Sequence, residues 1–255
     1  TTLILDSYSH ACILDGAFLA AGTPANAPEL RFFNHNSARS LERCLRTRER
    51  KNALVLLEGI YSLDGDEANI APLLEVCEQH DAAVICDDAH GTGTLGRTGR
   101  GIAEKYDLNS RLPVIISTFS KTFGGVGGIL LGSETVVDHV KHTARSFLFS
   151  ASLPAPMVAA ASTILTMLEE DGERLVRELN DNANYMRARL QDAGFDLGKS
   201  NTHIMPIMVR DERKTLFLHV ALMEQGILMV PITYPGVKQG EERLRLNITR
   251  AHTRE

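Results

Sequence analysis

The sequence predicts an α/β fold organised around a mostly parallel β-sheet. Short apolar runs alternate along the chain with segments of helical periodicity, which is the pattern of βαβ units. Most of these runs are continuously apolar, as expected for strands that are covered on both faces. Acids, a histidine and a lysine follow directly after two of them. Because ligands of parallel sheets bind beyond the carboxyl ends of the strands, these side chains are candidates for one site.

The predicted elements follow this pattern along the chain. The strands of the first part are expected at residues 3–5, 30–33, 53–57, 83–86, 114–116 and 129–131. Helices are expected at residues 38–48 and 73–80, followed by two long helical stretches at 154–169 and 172–193. Further on, strands are expected at 204–209, 228–230 and 244–248, with a helix at 215–225. The order of strands and helices changes after the long helical stretches. This change predicts a large domain at residues 1–165 and a smaller α+β domain at 166–255.

Composition excludes several classes of protein. The chain has 255 residues, 44% of them hydrophobic and 23% charged, which is typical of a globular protein with a large core. A net charge of −5 without a basic tract argues against nucleic acid as the main partner. No apolar run approaches a membrane span, and no signal peptide is recognisable at the start. The four cysteines lack paired spacing, so we expect neither a metal site nor disulfides, and a cytoplasmic location.

Two segments carry the candidate site residues. Lys121 follows the apolar run at 114–116 and precedes a glycine-rich stretch, and such a lysine suits a covalent anchor for an aldehyde cofactor. Asp87 and His90 follow the run at 83–86. With the Thr118 hydroxyl, these are the groups that pyridoxal phosphate requires. Asp87 would pair with the ring nitrogen, His90 with the phenolic oxygen and Thr118 with the phosphate. Lys121 alone would be interpreted as a loop lysine, so the prediction rests on the joint occurrence.

Eight motifs in order along the chain resemble those of the α-oxoamine synthases, the acyl-CoA-using branch of the fold-type I pyridoxal phosphate enzymes. They are SHACILDG at 9–16, FNHN at 33–36, EGIYSLDGD at 58–66, DDAHGTG at 87–93, GRTGRG at 96–101, STFSKTFGGVGG at 117–128, FSASLP at 149–154 and RLRL at 243–246. The resemblance implies a three-layer large domain and a smaller C-terminal domain. It also implies that an N-terminal part of the large domain precedes this chain and that a final helix follows it.

The resemblance also implies roles for single residues. Of the two adjacent acids, it assigns the ring contact to Asp87. His10 is expected to stack on the pyridine face, so that His10, Asp87 and Lys121 are the predicted catalytic residues. Ser62 is expected near the phenolic oxygen, and Glu58 at the edge of the pocket.

Two further roles concern the substrate and a second subunit. Arg245 is expected to bind the substrate carboxylate, for which the planar arginine fork is suited, and Arg243 on the same face is its nearest competitor. Ser150 is expected to reach the phosphate held by the neighbouring subunit of a homodimer with shared active sites.

The implied reaction condenses an amino acid with an acyl-CoA thioester and releases carbon dioxide, giving an α-aminoketone. Serine, alanine and glycine are the candidate amino acids. The motifs around Lys121 and Glu58 look closest to the serine palmitoyltransferase and 8-amino-7-oxononanoate synthase branches, whereas YPG at 234–236 looks more like aminolevulinate synthase. Two alternatives stay open: another pyridoxal phosphate reaction such as transamination, and a non-catalytic partner subunit. Such subunits in this family lose the anchoring lysine, whereas Lys121 is present here.

Overall fold

A computed structural model of the protein describes residues 1–22 and 27–254, which divide into two compact units. The first unit comprises Thr1–Gly59 and Ala68–Glu173, and the second comprises Ile60–Glu67 and the chain from Arg174 onward. The division falls within one long helix, which also contains the boundary predicted at residue 165. The assignment of two domains stays a prediction.

The first unit is built on a six-stranded sheet with the strand order β2-β1-β3-β4-β5-β6. Its strands are β1 Thr2–Asp6, β2 Glu29–Phe33, β3 Ala53–Glu58, β4 Ala82–Asp87, β5 Val114–Thr118 and β6 Gly128–Gly132. Strands β1 to β5 are parallel, and β6 returns antiparallel to β5. The predicted α/β fold with a mostly parallel sheet is therefore confirmed.

Helices connect the strands of this unit. They are α1 Ala11–Ala21, α2 Ala38–Arg46, α3 Ile70–Gln79, α4 Ile102–Lys105, α5 Glu134–Thr143, α6 Arg145–Leu148 and α7 Ala155–Asp192. Helix α1 packs on the sheet through a cluster of Leu5, Ile13 and Ala17. This packing fixes the start of α1, where His10 is the N-cap residue, next to the carboxyl end of β1.

Five helices differ from the prediction. Helices α1, α4, α5 and α6 were not predicted. Helix α1 is apolar on nearly all sides and lacks the amphipathic pattern that marks a helix. The stretches at 154–169 and 172–193 form the single helix α7, so Gly172 does not interrupt it. A side chain at Gly172 would place its Cβ 2.3 Å from the Thr98 carbonyl oxygen, so close packing explains this glycine. No helix within the described residues combines the length and apolarity that crossing a bilayer requires.

The second unit contains a three-stranded antiparallel sheet with the order β7-β9-β8. Its elements after α7 are β7 Ile204–Met208, α8 Glu212–Glu224, β8 Val230–Ile232 and β9 Arg243–Asn247. The part of α7 in this unit packs on the sheet through Ala183, Met205 and Ile248. Asp211 caps α8 by accepting a hydrogen bond from the backbone N–H of Lys214 at 2.8 Å.

The packing of α1 on β1 yields a stability prediction. Leu5→Ala removes a fully buried side chain from beneath α1 and leaves a cavity, so it should lower the free energy of unfolding by about 2–5 kcal/mol. The matched control is Leu19→Ala on α1 itself. It removes a side chain that is 79% exposed and should change stability by less than about 0.5 kcal/mol. Urea unfolding measures both. Equal effects would contradict this packing.

Candidate active site

Three adjacent parallel strands of the first unit end in buried carboxylates. Asp6 ends β1, Glu58 ends β3 and Asp87 ends β4, and all are less than 9% exposed. Glu58 and Asp87 are direct register partners. Asp6 is fully engaged: it accepts backbone hydrogen bonds from Tyr8 and Asn36 and pairs with Nδ1 of His35 at 3.0 Å. The remaining two carboxyl groups therefore define the polar floor of the candidate site.

The neighbouring acids Asp87 and Asp88 have different environments. Asp88 is enclosed by three glycines: a Cβ added at Gly59, Gly91 or Gly101 would lie 1.7–2.1 Å from its carboxylate oxygens. Its Oδ2 accepts the backbone N–H of Ile102 at 3.0 Å, at the start of α4. Asp88 is therefore a structural acid that ties the loop after β4 to α4. The assignment of the ligand contact to Asp87, which the family resemblance implies, stays a prediction.

The contacts of Asp87 leave its charge weakly compensated. Its Oδ1 accepts the backbone N–H of Ala89 at 2.9 Å, and its Oδ2 lies 3.9 Å from the Cys12 thiol sulfur. Within residues 1–22 and 27–254, no cationic side chain forms an ion pair with Asp87. A buried carboxylate is costly unless a cation or several donors compensate it, so this position favours a cationic ligand group.

His10 and Cys12 lie at the start of α1, beside these carboxyl groups. The backbone N–H of His10 donates a hydrogen bond to Oε1 of Glu58. The His10 ring is exposed, and its Nδ1 accepts the Cys12 N–H at 3.3 Å and lies 3.1 Å from the Cys12 sulfur. The ring is thus held at one nitrogen while its faces stay accessible, which is compatible with the predicted stacking role.

Lys121 lies in the loop that joins β5 to β6, where the two strands form an antiparallel hairpin. The loop is fixed by backbone bonds from Phe119 N–H to Gly127 O at 2.9 Å and from Gly125 N–H to Phe119 O at 2.6 Å. Gly127 has φ +107°, a conformation that L side chains rarely adopt. The hydroxyl of Thr122 donates to the Thr92 carbonyl at 2.8 Å, which ties this loop to the one after β4.

Thr118 organises the same loop. Its hydroxyl lies 2.8 Å from the Ser120 hydroxyl, accepts the Ser120 N–H at 3.1 Å and contacts the Gly127 carbonyl at 3.2 Å. Two hydroxyls therefore gather just before Lys121. Hydroxyls can donate to a phosphate group, and the assignment of Thr118 to phosphate binding stays a prediction.

The electrostatic environment connects these groups. Burial and the charge of Asp87 raise the pKa of Glu58 to about 8, against the lowering effects of the His10 N–H and the Lys121 charge. Burial, Asp87 and Glu58 also raise the pKa of the Cys12 thiol, and Lys121 again lowers it. The charge of Lys121 therefore lowers the pKa of two groups that lie beside Asp87. The amine and the carboxyl groups belong to one electrostatic site.

The other predicted residues of the first unit are placed less tightly. His90 lies three residues after Asp87 in the loop that follows β4, and its carbonyl accepts the Thr94 hydroxyl at 2.5 Å. Ser150 is exposed and donates its hydroxyl hydrogen to the Ser146 carbonyl. Among the described residues, no group of His, Cys, Asp and Glu has the arrangement of a metal site.

The second unit holds the predicted substrate arginine. Arg243, the competitor for that role, is only 3% exposed, and its guanidinium forms an ion pair with Asp64 at 2.8 Å. Its charge is therefore already compensated within the protein. Arg245 is half-buried, and burial lowers its pKa. In the part of the chain that is described, its Nε donates to Asn247 Oδ1 at 3.2 Å and no carboxylate pairs with it.

Two further features of this unit concern His203 and Ser62. Burial and the charge of Arg245 lower the pKa of His203 to about 4, so the imidazole beside Arg245 is neutral at physiological pH. Arg245 therefore has a neutral neighbour and retains its capacity to bind an anion. Ser62 is half-buried in the segment after β3, and its predicted contact with a cofactor stays a prediction.

Sequence reasoning did not select Cys12 and Asp6 as parts of the site. Cys12 occurs in the SHACILDG motif, but a lone cysteine carries no recognisable signal without its spatial neighbours. Asp6 follows the apolar run at 3–5 in the same way that Asp87 follows the run at 83–86. That shared position at the end of a strand could have identified it.

Comparisons with known proteins place this site in a family context. Residues 2–255 match a family model described as aminotransferase class I and II. The chain is 38% identical over 257 residues to 8-amino-7-oxononanoate synthase of Fervidobacterium nodosum, covering 99% of this chain and 63% of that protein. It is 36% identical over 252 residues to 4-hydroxy-2,2'-bipyrrole-5-methanol synthase PigH of a Serratia species, covering 98% of this chain and 37% of that protein.

Solved structures agree with this assignment. Serine palmitoyltransferase of Sphingomonas wittichii superimposes with a TM-score of 0.92 at 30% identity, covering 99% of this chain and 62% of that one. The resemblance to the α-oxoamine synthases is confirmed. The chain spans about 63% of the length of the first curated relatives that it matches.

The glycine enclosure of Asp88 can be tested by adding one methyl group. Gly91→Ala would place a Cβ 2.0 Å from the Asp88 carboxylate and should lower the free energy of unfolding by about 1–3 kcal/mol. The control, Gly16→Ala, adds the same group within α1 where nothing lies within 4 Å, and should raise stability by about 0.5–1 kcal/mol. Urea unfolding distinguishes them. A Gly91→Ala protein as stable as wild type would contradict the enclosure.

Proposed function

The chain belongs to the aminotransferase class I and II family, and we propose that it acts as a pyridoxal-phosphate-dependent α-oxoamine synthase. In the proposed reaction, an amino acid condenses with an acyl-CoA thioester, and carbon dioxide and coenzyme A leave. One observation carries the proposal: the buried Asp87 carboxylate has no cationic partner among the described residues and lies in the same electrostatic site as Lys121.

The residues present fit pyridoxal phosphate. A protonated pyridine nitrogen would supply the cation that Asp87 lacks, and the Lys121 amine is suited to hold the aldehyde carbon covalently. The hydroxyls of Thr118 and Ser120 suit the phosphate. The accessible ring of His10 suits the pyridine face. If Lys121 only formed an ion pair with a neighbouring acid, the hydroxyls and the His10 ring would not be needed beside it.

Further contacts are proposed from the family resemblance. His90 and Ser62 would bind the phenolic oxygen of the cofactor. Ser150 would bind the phosphate held by the partner in a homodimer, which we propose as the assembly. A cytoplasmic location is proposed with it. These roles rest on the motifs in which the residues occur.

The protein's own residues would bind the substrate and move its proton. The half-buried Arg245 guanidinium would bind the amino-acid carboxylate, since a fork of N–H donors matches its two oxygens. Nζ of Lys121 would accept the Cα proton of the substrate as general base. Pyridoxal phosphate, when bound, supplies an electron-withdrawing ring that stabilises the negative charge left at that carbon. Asp87 would keep the ring nitrogen protonated throughout.

The amino acid and the acyl group are proposed as a class. Relatives with similar identity carry different names, 8-amino-7-oxononanoate synthase and 4-hydroxy-2,2'-bipyrrole-5-methanol synthase, so identity alone does not select a product. Serine, alanine and glycine are the proposed amino acids. The motifs near Lys121 favour a reaction like that of serine palmitoyltransferase or 8-amino-7-oxononanoate synthase.

Covalent labelling tests the anchor. After incubation with pyridoxal phosphate and reduction with borohydride, peptide mass spectrometry should find the cofactor mass on the peptide containing Lys121. Lys121→Ala should abolish this label, whereas the control Lys141→Ala, which alters an exposed residue of α5, should retain it. Label distributed over surface lysines and unaffected by Lys121→Ala would overturn the proposal.

Product analysis then tests the reaction class. A panel of acyl-CoA thioesters combined with serine, alanine or glycine should release carbon dioxide and coenzyme A together for the correct pair. Formation of a keto acid without carbon dioxide would identify transamination instead.

Arg245 has a kinetic prediction of its own. Arg245→Ala should raise the KM for the amino acid about 10- to 100-fold, because a charge-assisted contact to the carboxylate is lost. Arg210→Ala is the control: it removes an arginine of the same unit that pairs with Asp196 on the surface, and should leave KM unchanged. Steady-state kinetics with varied amino acid measures both. An equal, small effect of the two variants would rule out Arg245 as the carboxylate ligand.

A further inference from the structure

Glu58 fixes the point at which the chain enters α1. It is the last residue of β3 and is 3% exposed, and its Oε1 accepts the backbone N–H of His10. His10 is the N-cap residue of α1, and its exposed ring follows from the backbone position that this bond sets. The buried Glu58 carboxyl group thus holds the His10 backbone, while the Cys12 N–H holds the His10 ring at Nδ1.

Glu58 also lies beside a second buried carboxyl group. It pairs in register with Asp87 across β3 and β4, so both side chains occupy the same edge of the sheet. Two carboxyl groups in such proximity do not readily ionise together, and differences in their surroundings decide which one retains a proton. Among the described residues, the Glu58 carboxyl group accepts the His10 N–H, and Glu58 is more deeply buried than Asp87.

The surroundings of Glu58 raise its pKa. Burial has the largest raising effect, followed by the charge of Asp87 and a smaller effect of Asp6. The His10 N–H and the Lys121 charge lower the pKa, and the net value is about 8. The charge of Glu58 in turn raises the pKa of two neighbouring thiols, those of Cys12 and Cys86. Near neutral pH, this environment favours the protonated form of Glu58.

We infer that Glu58 is a positioning residue: as a neutral carboxylic acid it fixes His10 through the backbone N–H, beside Asp87 at the same edge of the sheet. This inference rests on the proposed function, because His10 and Asp87 are the residues that would face the cofactor ring.

The hydrogen bond to His10 is tested first in the protein without cofactor. Glu58→Ala removes the acceptor, so the His10 amide should exchange with deuterium at least about tenfold faster than in wild type. Glu58→Gln retains a neutral acceptor of the same size and should keep the exchange within about twofold. Glu75→Ala, an exposed position on α3, is the control and should have no effect. Unchanged His10 exchange in Glu58→Ala would overturn the inference.

The protonation state is tested through the pH dependence of stability. The unfolded carboxyl group loses its proton above its ordinary pKa of 4.5, whereas folded Glu58 retains it up to about 8. The folded state therefore binds more protons in this window, and the contribution of Glu58 to stability falls as pH rises from about 4.5 to 8. Glu58→Gln has no such proton, so its melting temperature relative to wild type should rise by at least about 3 °C over that range. A constant difference would show that folded Glu58 is ionised and would overturn the inference.

Both readouts are independent of the labelling of Lys121. If labelling fails while exchange and the pH dependence behave as expected, the proposed function fails and the role of Glu58 in holding His10 stands. With pyridoxal phosphate added, Glu58→Gln should bind it within about threefold of wild type, and Glu58→Ala at least about tenfold more weakly. If Glu58→Ala does not fold, Glu58→Gln alone decides the matter through its pH dependence.

Discussion

Parallel pairing of β3 with β4, in the register that sets Glu58 opposite Asp87, is the constraint on which the site depends. Parallel strands end at the same edge of a sheet, so residues far apart in sequence meet there. The β5–β6 hairpin brings the Lys121 loop to this edge, and the Thr122–Thr92 hydrogen bond ties it to the loop after β4. A slip of one residue between β3 and β4 would turn the two acids to opposite faces.

Each buried acid at this edge is compensated in a different way. Asp6 accepts two backbone N–H groups and pairs with His35, and Asp88 is enclosed by glycines and accepts the N–H of Ile102. Glu58 is favoured in its neutral form and bonds to the His10 N–H. Asp87 is left with one backbone donor and a distant thiol. Asp87 is therefore the carboxylate that we propose to pair with a cationic group of the ligand.

The sequence was sufficient to predict the strands of the six-stranded sheet and the residues at their ends, because continuous apolar runs followed by acids, such as residues 83–86 and Asp87, are a local signal. The strand predicted at 228–230 lies two residues later, at β8. The sequence did not predict α1, whose apolar surface lacks a helical pattern, or the continuity of α7 through Gly172. The distinction between Asp87 and Asp88, and the burial of Arg243 in an ion pair with Asp64, depend on contacts between distant segments. Local sequence patterns do not contain that information.

A crystal structure of the protein with pyridoxal phosphate bound tests the central claim most directly. The account predicts continuous electron density from Nζ of Lys121 to the cofactor, with the ring nitrogen within hydrogen-bond distance of the Asp87 carboxylate and the His10 ring against the pyridine face. Cofactor bound away from the ends of β4 and β5, or a ring nitrogen that contacts no carboxylate, would contradict it.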